Sequence, residues 1–133
     1  MNAEIRAVMD ECTHASDDER ISFPEVVARL MRSGVERYHA DLIRAEKIYY
    51  MPNGESHRTP CKAVTCEAPG GFSAARVESA VRAIQRKEIG YHEFCERIAA
   101  AGCVGYVVSL AGRRAVYYGR TFDTYVEPFP AMN

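Results

Sequence analysis

Apolar, aromatic and charged positions follow the same order in two stretches of this chain. When residues 23–60 are laid over residues 91–128, at a constant offset of 68 positions and without a gap, residues of like kind coincide along the whole segment. The identical pairs include Glu25/Glu93, Arg29/Arg97, Gly34/Gly102, Tyr38/Tyr106, Leu42/Leu110, Tyr49/Tyr117, Tyr50/Tyr118 and Pro60/Pro128. Because such agreement in one register is hard to obtain by chance, the pattern predicts two copies of one supersecondary unit.

Each copy contains a helical pattern with recognisable ends. Ser22 and Glu25 predict a capping box, in which the serine hydroxyl and the glutamate carboxylate satisfy N–H groups of the first turn. The helix is predicted to end at Gly34, since glycine tolerates the positive φ of a C-terminal cap. Its counterpart runs from Gly90 to Gly102. Two further helices are predicted, one over residues 3–14 and one that begins at Ser73.

Strands are predicted after each capping glycine. Residues 103–110 carry adjacent β-branched side chains and an internal glycine, which disfavour helix and favour strand. Their equivalents, residues 35–42, are therefore also interpreted as a strand, although the spacing there fits a helix as well. A second strand holds the Tyr-Tyr pair of each copy, and a third short strand ends before Pro60 or Pro128.

These elements predict an α+β fold made of two α-α-β-β-β units. Strands linked by hairpins are antiparallel, so we expect one antiparallel sheet with the helices on one face, a two-layer sandwich. The length suits a single domain, 1–133. Its pseudo-repeats would be residues 1–68 and 69–133, with Pro69-Gly70-Gly71 at the seam.

Composition argues against several function classes. The formal net charge of −1 gives no global field to attract nucleic acid or an acidic membrane surface. No apolar run approaches the roughly 20 residues that span a bilayer, and the N-terminus lacks a secretion signal. The five cysteines are odd in number and lack the spacing of a disulfide framework, as expected of reduced thiols. We therefore expect a cytoplasmic protein with no membrane partner.

Three segments of the chain resemble a known family. They are the run Phe23-Pro24-Glu25-Val26-Val27, the segment 34–42 with Tyr49-Tyr50 after it, and the run Ala101-Gly102-Cys103-Val104-Gly105-Tyr106. They resemble the YdfO-like and YbcV-like proteins, small bacterial and prophage-encoded chains grouped as domain of unknown function 1398. The resemblance covers nearly the whole chain and implies an α+β fold and a prophage origin. It implies no activity, because the family has no assigned catalytic residues.

One face of the first repeat strand carries polar residues that the second repeat lacks. Side chains alternate along a strand, so Arg37, His39 and Asp41 share one face. The opposite set begins at Tyr38 and recurs in the second copy, so it is predicted to form the core face under the helices. The polar row is then predicted to lie on the open face of the sheet.

Two interpretations of this polar row stay open. A histidine that titrates near neutrality, flanked by a carboxylate and a guanidinium, suits acid–base chemistry or the binding of an anion. Lys47 or Tyr49 on the neighbouring strand would then lie beside it. Polar residues are also what a solvated face of an antiparallel sheet ordinarily carries. The row is thus a candidate binding site without a diagnostic motif.

The second repeat adds aromatic and basic candidates. Tyr117 is a candidate for stacking on a ligand, although aromatic residues are also common in strands for packing reasons. Arg113, Arg114 and Arg120 lie near it in the sequence, a combination used by proteins that bind single-stranded nucleic acid. Acidic residues elsewhere cancel this charge, and no nucleic-acid-binding motif is present. We therefore do not expect nucleic-acid binding.

Metal-capable residues also occur near the middle of the chain. His57, Cys61 and Cys66 form a His-x3-Cys-x4-Cys pattern. Zinc sites ordinarily use tighter pairs such as Cys-x2-Cys, and a fourth ligand is not evident nearby. Cys95 and Cys103 fit buried apolar positions better than nucleophiles. The sequence therefore predicts neither a metal nor a cofactor.

The sequence favours a small binding or modulator protein that acts through the open sheet face or the junction between the repeats. Its partner would be an unidentified protein or small molecule, and the chain would be a monomer or a homodimer. Two alternatives stay open, a small acid–base enzyme that uses His39 and Asp41, and a structural protein that self-associates. Phosphate-binding glycine loops, Gly-x-Ser-x-Gly elbows and His-Glu-x-x-His helices are absent from the sequence, which favours a role without catalysis.

Overall fold

Residues 1–129 are described by a computed structural model, and residues 130–133, the end of the second predicted repeat, lie outside the described part. The described part forms α1 (Ala3–Asp17), α2 (Phe23–Arg32), β1 (Arg37–Asp41), β2 (Glu46–Tyr50), β3 (Ser56–Pro60), α3 (Ala74–Gln85), α4 (Tyr91–Ala100), β4 (Cys103–Ser109), β5 (Arg114–Gly119) and β6 (Thr124–Pro128). Each repeat contributes two helices followed by three strands, which confirms the predicted α-α-β-β-β unit.

Caps fix the ends of the repeat helices. At the start of α2, the Ser22 hydroxyl accepts a hydrogen bond from the Glu25 N–H, and the Glu25 carboxylate accepts one from the Ser22 N–H. Gly34 and Gly102 follow α2 and α4 at φ 78° and 95°, as predicted for glycine caps. Helix α1 continues past the predicted end at residue 14 to Asp17, because side chains of its last turn are also buried. Within residues 1–129, no helix has the length and apolarity to cross a bilayer.

The six strands form one antiparallel sheet in the order β3-β2-β1-β4-β5-β6. Each repeat supplies three neighbouring strands, and the repeats join where β1 pairs with β4. The edge strands β3 and β6 include Pro60 and Pro128, so the expectation that each strand ends before its proline is wrong. At the edge of a sheet, the missing N–H of proline need not remove a ladder hydrogen bond.

A pseudo-two-fold axis relates the repeats and passes through the β1–β4 pair. Tyr38 pairs with Val108, while its equivalent Tyr106 pairs with Ala40, which is the equivalent of Val108. The backbone repeats as well, because every residue at positive φ within residues 1–129 has its equivalent 68 positions away at positive φ. These pairs are Glu19/Lys87, Gly34/Gly102, Ala45/Arg113 and Gly54/Phe122. The symmetry of the sequence is therefore also a symmetry of the fold.

The core lies between the sheet and the helices. The residues of the recurring set, which lie in β1 and β4 or directly after them, are at most 8% exposed: Tyr38, Ala40, Leu42, Tyr106, Val108 and Leu110. They join one apolar cluster with helix residues such as Leu30 and Ile98. This confirms the predicted core face and leaves the other face of the sheet without a covering layer in residues 1–129.

Candidate functional site

The open face of the sheet carries a line of mostly aliphatic side chains, called here the apolar row. It crosses the sheet through neighbouring partners in the register, from Ile48 through His39, Val107 and Val116 to Val126. Val107 and Val126 are 38% and 46% exposed. A solvated face of an antiparallel sheet ordinarily carries polar residues. The apolar row departs from that pattern across five neighbouring strands.

Charged residues of opposite sign lie on the two sides of the apolar row. Arg37 and Arg114 lie on one side, called the basic flank, where Ser109 pairs with both of them. Asp41 and its register partner Glu46 lie on the other side, called the acidic flank. The arginines and the carboxylates therefore lie on opposite sides of the apolar row, and Asp41 supplies the negative charge of its side, because Arg44 and Arg58 form ion pairs with Glu46.

His39 is hydrogen-bonded across strand β4 to Tyr118. The distance from His39 Nε2 to the Tyr118 hydroxyl oxygen is 2.6 Å. Tyr118 pairs with Gly105, where an added Cβ would lie 2.5 Å from the same hydroxyl oxygen. The glycine thus leaves room for the phenol to cross the strand. Partial burial, followed by the nearby Asp41 carboxylate, raises the pKa of Tyr118, so its hydroxyl is neutral at physiological pH.

The equivalent tyrosine of the first repeat has a different neighbour. Tyr50 lies against the guanidinium of Arg37, whose Cζ is 4.3 Å from the ring centroid, a cation–π contact. Arg37 occupies the position that Gly105 has in the second repeat, and it also forms an ion pair with Glu36. One half of the open face therefore presents a stacked guanidinium, and the other a tyrosine bound to a histidine.

Phe122 extends the apolar surface beyond Tyr118. Its ring stacks on the Tyr118 ring, with centroids 5.7 Å apart and an interplanar angle of 20°, and the residue is 76% exposed. Its backbone lies at φ 63°, a region that bulky residues avoid. The equivalent residue of the first repeat is Gly54. A strained backbone that displays an exposed aromatic ring points to a role for that ring at the surface.

Local hydrogen bonds fix the acidic flank. Asp41 Oδ1 accepts hydrogen bonds of 3.0 Å from the N–H groups of Ile43 and Arg44, which closes the turn after β1. Glu46 is 3% exposed because Arg58 and Arg44 cover it with ion pairs of 3.0 and 2.9 Å. These hydrogen bonds, first that of Arg58, lower the pKa of Glu46. Glu46 is neutralised in place, whereas Asp41 Oδ2 has no hydrogen bond within residues 1–129.

The predicted site residues divide between the two faces. Arg37, His39 and Asp41 lie on the open face, where the alternation of β1 predicts them. The expectation that Lys47 or Tyr49 lies beside them is wrong, because the register pairs Lys47 with Ala40 and Tyr49 with Tyr38. Directly paired residues project to the same side of a sheet. Lys47 and Tyr49 are therefore buried under the helices, at 3% and 1% exposure.

Tyr117 also lies on the core face. It pairs with the buried Tyr106, and its hydroxyl donates a hydrogen bond of 2.7 Å to Glu127. Burial raises the pKa of Glu127, and its carboxylate also accepts a hydrogen bond from Gln85. The outward member of this tyrosine pair is Tyr118.

Lys47 is a buried cation with aromatic neighbours. Its Nζ lies 4.8 Å from the ring centroid of Tyr91 and 6.0 Å from that of Tyr38. The ammonium group of Lys47 forms neither a hydrogen bond nor an ion pair with any residue in the described part of the chain. Burial lowers the pKa of this ammonium group, because desolvation disfavours the charged form. The second repeat has Ala115 here, so the charge is peculiar to the first repeat.

The metal-capable residues of the sequence have separate partners. His57 Nε2 lies 2.8 Å from Asp10 Oδ1, which joins β3 to α1. The Cys66 thiol donates to the Glu96 carbonyl oxygen at 3.6 Å, and the cysteines are free thiols. Among residues 1–129, no group of three or more His, Cys, Asp or Glu side chains is arranged to hold a metal ion.

Among the cavities of the described residues, two border the helices. The first, of about 10 Å³, is lined by Asp17, Lys62, Ala63, Val64, Tyr91, His92 and Cys95. It has room for about one water molecule. The second, a groove of about 230 Å³ between α3 and α4, is lined by Arg76, Ser79, Ala80, Arg97 and Ala100. Small-molecule sites commonly enclose roughly 300–1,000 Å³. Neither cavity is lined by a residue of the open face.

Three residues of this surface were not among the predicted site residues: Val107, Tyr118 and Phe122. The sequence repeat indicates that Val107 lies on the open face, because Val107 is the equivalent of His39. Gly105 stands where the first repeat has Arg37. A glycine within a strand often indicates that a neighbouring group approaches the backbone closely. Nothing in the sequence marked Phe122 as exposed.

Comparison with known proteins identifies a family and uncharacterised relatives. The family model described as "Protein of unknown function (DUF1398)" matches residues 11–127. Uncharacterized proteins from two strains of Mycobacterium tuberculosis are 29% identical to the chain over 112 residues, which are 83% of this chain and 68% of each relative. An uncharacterized protein of Mycobacterium bovis matches to the same extent.

Proposed function

The chain belongs to the DUF1398 family of proteins of unknown function, and from that premise we propose that it is a binding module whose open sheet face contacts a protein partner. The apolar row is the observation that carries this proposal. It places the exposed Val107 and Val126 in line with partly buried aliphatic side chains on a face without a covering layer. Exposed apolar surface rimmed by polar residues is characteristic of interaction sites.

The shape and chemistry of the surface favour a protein over a small molecule. The open face presents aromatic and arginine side chains around an aliphatic centre, including Tyr118, Phe122 and Arg37. Aromatic residues and arginine are enriched at the centres of protein interfaces. A small molecule would need an enclosing cavity to bury most of its surface, and the two cavities described above lie elsewhere.

The acid–base alternative has less support. His39 and Tyr118 form a hydrogen-bonded pair, but the pKa of Tyr118 is raised, whereas a general acid or base works best with a pKa near the working pH. Neither of the two cavities described above is lined by His39 or Tyr118. A cytoplasmic location and a prophage origin of the YdfO-like and YbcV-like kind remain predictions within this proposal.

Site-specific photo-cross-linking tests the proposal. A benzophenone amino acid replaces Val107 in one variant and Met31 in the control, because Met31 is 48% exposed on α2, away from the sheet. We expect irradiated cells to yield a defined protein adduct from position 107. That adduct should be lost when Val126 is also changed to lysine. Equal adducts from both positions, or none from position 107, would contradict a binding role for the open face.

A further inference from the structure

We propose that the partner is a second copy of this chain, bound open face to open face about a two-fold axis that runs along the apolar row. This inference rests on the proposed function and names its partner. Symmetric dimers have isologous interfaces, in which residue i contacts residue j and residue j contacts residue i. The arrangement of charge and apolar side chains on the open face meets that condition.

The positions of the flanks define the axis. A two-fold axis along the apolar row brings the apolar rows of the two chains face to face, so Val107 of one chain faces Val107 of the other. The same rotation exchanges the two sides of the row, so the basic flank of each chain faces the acidic flank of the other. Two sheets that pack face to face bury an apolar layer between them, which is what the apolar row supplies.

Arg37 and Asp41 are the first complementary pair. They lie on opposite sides of His39 on the same strand, so the rotation places Arg37 of one chain over Asp41 of the other, twice in each dimer. The Arg37 side chain is 50% exposed and uses only Nη1 in its ion pair with Glu36. Asp41 uses only Oδ1 in its turn. Both groups thus retain atoms for a contact between chains.

Arg114 and the Tyr118–Phe122 stack are the second complementary pair. Arg114 and Tyr118 lie on opposite sides of Val116 on β5, so the rotation places the guanidinium over the aromatic stack of the other chain. A guanidinium on an aromatic face gains a cation–π interaction. This contact also gives a reason for Phe122 to remain exposed at a strained backbone position.

Another choice of axis loses this complementarity. A two-fold axis parallel to the strands, between β1 and β4, would place Arg37 over Ser109 and Asp41 over Gly105 of the second copy. Those contacts join each charge to a residue without an opposite charge, so desolvation of the charges would be uncompensated. Charge complementarity therefore selects the axis along the apolar row.

The area of the open face limits how stable the proposed dimer can be. Strands about 4.8 Å apart with about 3.3 Å per residue give a face of about 400 Å² for a six-stranded sheet of short strands. Two such faces bury about 800 Å², before side-chain relief is counted, which is small for a stable dimer. We therefore expect a concentration-dependent dimer, and the measurements should extend from about 1 μM to 1 mM.

Charge-reversal variants measured by sedimentation velocity test the pairing. Arg37→Asp and Asp41→Arg should each weaken dimer formation by about tenfold or more, because each places like charges opposite one another. An equimolar mixture of the two variants should form a heterodimer, detected by its mass in native mass spectrometry, since every facing pair is again opposite in charge. The double variant R37D/D41R should dimerise as the wild type does. Arg76→Asp, on the outer helix α3, is the control and should leave dimerisation unchanged.

The outcomes separate this inference from the proposed function. Thermal melts of each variant first confirm folding, because Asp41 also closes a turn. If the wild type stays monomeric up to 1 mM, or if the mixture of folded single variants fails to form the heterodimer, the second-copy proposal is overturned. Cross-links from position 107 to a different protein would then leave the binding function in place. If position 107 gives no cross-link to any protein, both the second-copy inference and the proposed binding function are contradicted.

Discussion

His39 and Val107 occupy the same position in the two repeats and pair with each other across β1 and β4. The axis that relates the repeats therefore passes between these two residues. This pair is therefore the centre of the open face, with the remaining aliphatic members of the apolar row on either side. The repeats differ at this point, because one places an imidazole beside the axis and the other a valine.

Gly105 should resist substitution because of Tyr118. In Gly105→Ala the new Cβ would lie 2.5 Å from the Tyr118 hydroxyl oxygen and 2.9 Å from the Ala40 carbonyl oxygen. We expect a loss of about 1–3 kcal/mol in the free energy of unfolding, as for other overpacked sites. Urea denaturation measures this loss, with Gly70→Ala as the control in open space. In a Tyr118→Ala background the penalty should shrink; an unchanged penalty would mean that the tyrosine is not the obstacle.

Gly34 and Gly102 should differ although both cap a helix at positive φ. Alanine at either position should cost about 1 kcal/mol from the backbone conformation alone. At Gly102 the added Cβ would also lie 2.0 Å from the Gly71 carbonyl oxygen, whereas at Gly34 the nearest atom is 3.9 Å away in Met51. Thermal melts should therefore show a larger drop for Gly102→Ala. Equal drops would contradict the close contact between Gly102 and the segment before α3.

Phe122→Gly should weaken dimer formation without lowering the stability of the fold. Glycine enters the positive-φ region without strain, so the free energy of unfolding should stay the same or rise by up to about 1 kcal/mol. The same change removes the ring that stacks on Tyr118, so dimer formation should weaken. Melting temperature and sedimentation are the two measurements. A strongly destabilised variant would show that the ring supports the fold rather than a partner contact.

Lys47→Met should stabilise the protein at neutral pH. The substitution removes a buried charge that has no ion-pair partner in the described residues and keeps an unbranched side chain. Replacing buried charged groups with apolar ones can add about 1–4 kcal/mol. Urea denaturation at pH 7 measures the difference. A destabilised variant would show that the ammonium contributes more through Tyr91 and Tyr38 than its desolvation costs.

The stability difference between Lys47→Met and the wild type should decrease as the pH rises. Burial lowers the pKa of Lys47 in the folded protein, while in the unfolded chain the pKa is about 10.4. Between these values the unfolded chain holds more protons, so the wild type gains stability as the pH rises. The advantage of Lys47→Met should therefore narrow from pH 7 to pH 10. A gap that widens over this range would contradict the lowered pKa.

Much of the fold was predictable because the two copies inform each other. Residues 35–42 alone fit either a helix or a strand, but their equivalents 103–110 contain adjacent β-branched residues and favour a strand. The capping box at Ser22 and the glycine caps also gave the helix ends. The alternation of the first strand placed Arg37, His39 and Asp41 on the correct face.

The neighbours of that row were not predictable, because they depend on the register between strands. The turn before β2 decides whether odd or even residues of that strand face the helices, and a shift of one residue exchanges the faces. The polar character of Lys47 suggested an outward position, yet its partners Ala40 and Thr59 are both buried. Likewise, the pair at residues 117 and 118 must place one tyrosine on each face, and only the pairing with Tyr106 fixes which is which.

The junction of the repeats has a consequence for how the chain holds together. A chain cut within residues 61–73 would consist of two halves, each with its inner strand exposed as an edge. Two separate halves would meet through β1 and β4 only as fast as diffusion and concentration allow. The tether replaces that bulk concentration with an effective one in the millimolar range. The covalent link therefore turns what would be an association of subunits into a folding step that does not depend on dilution.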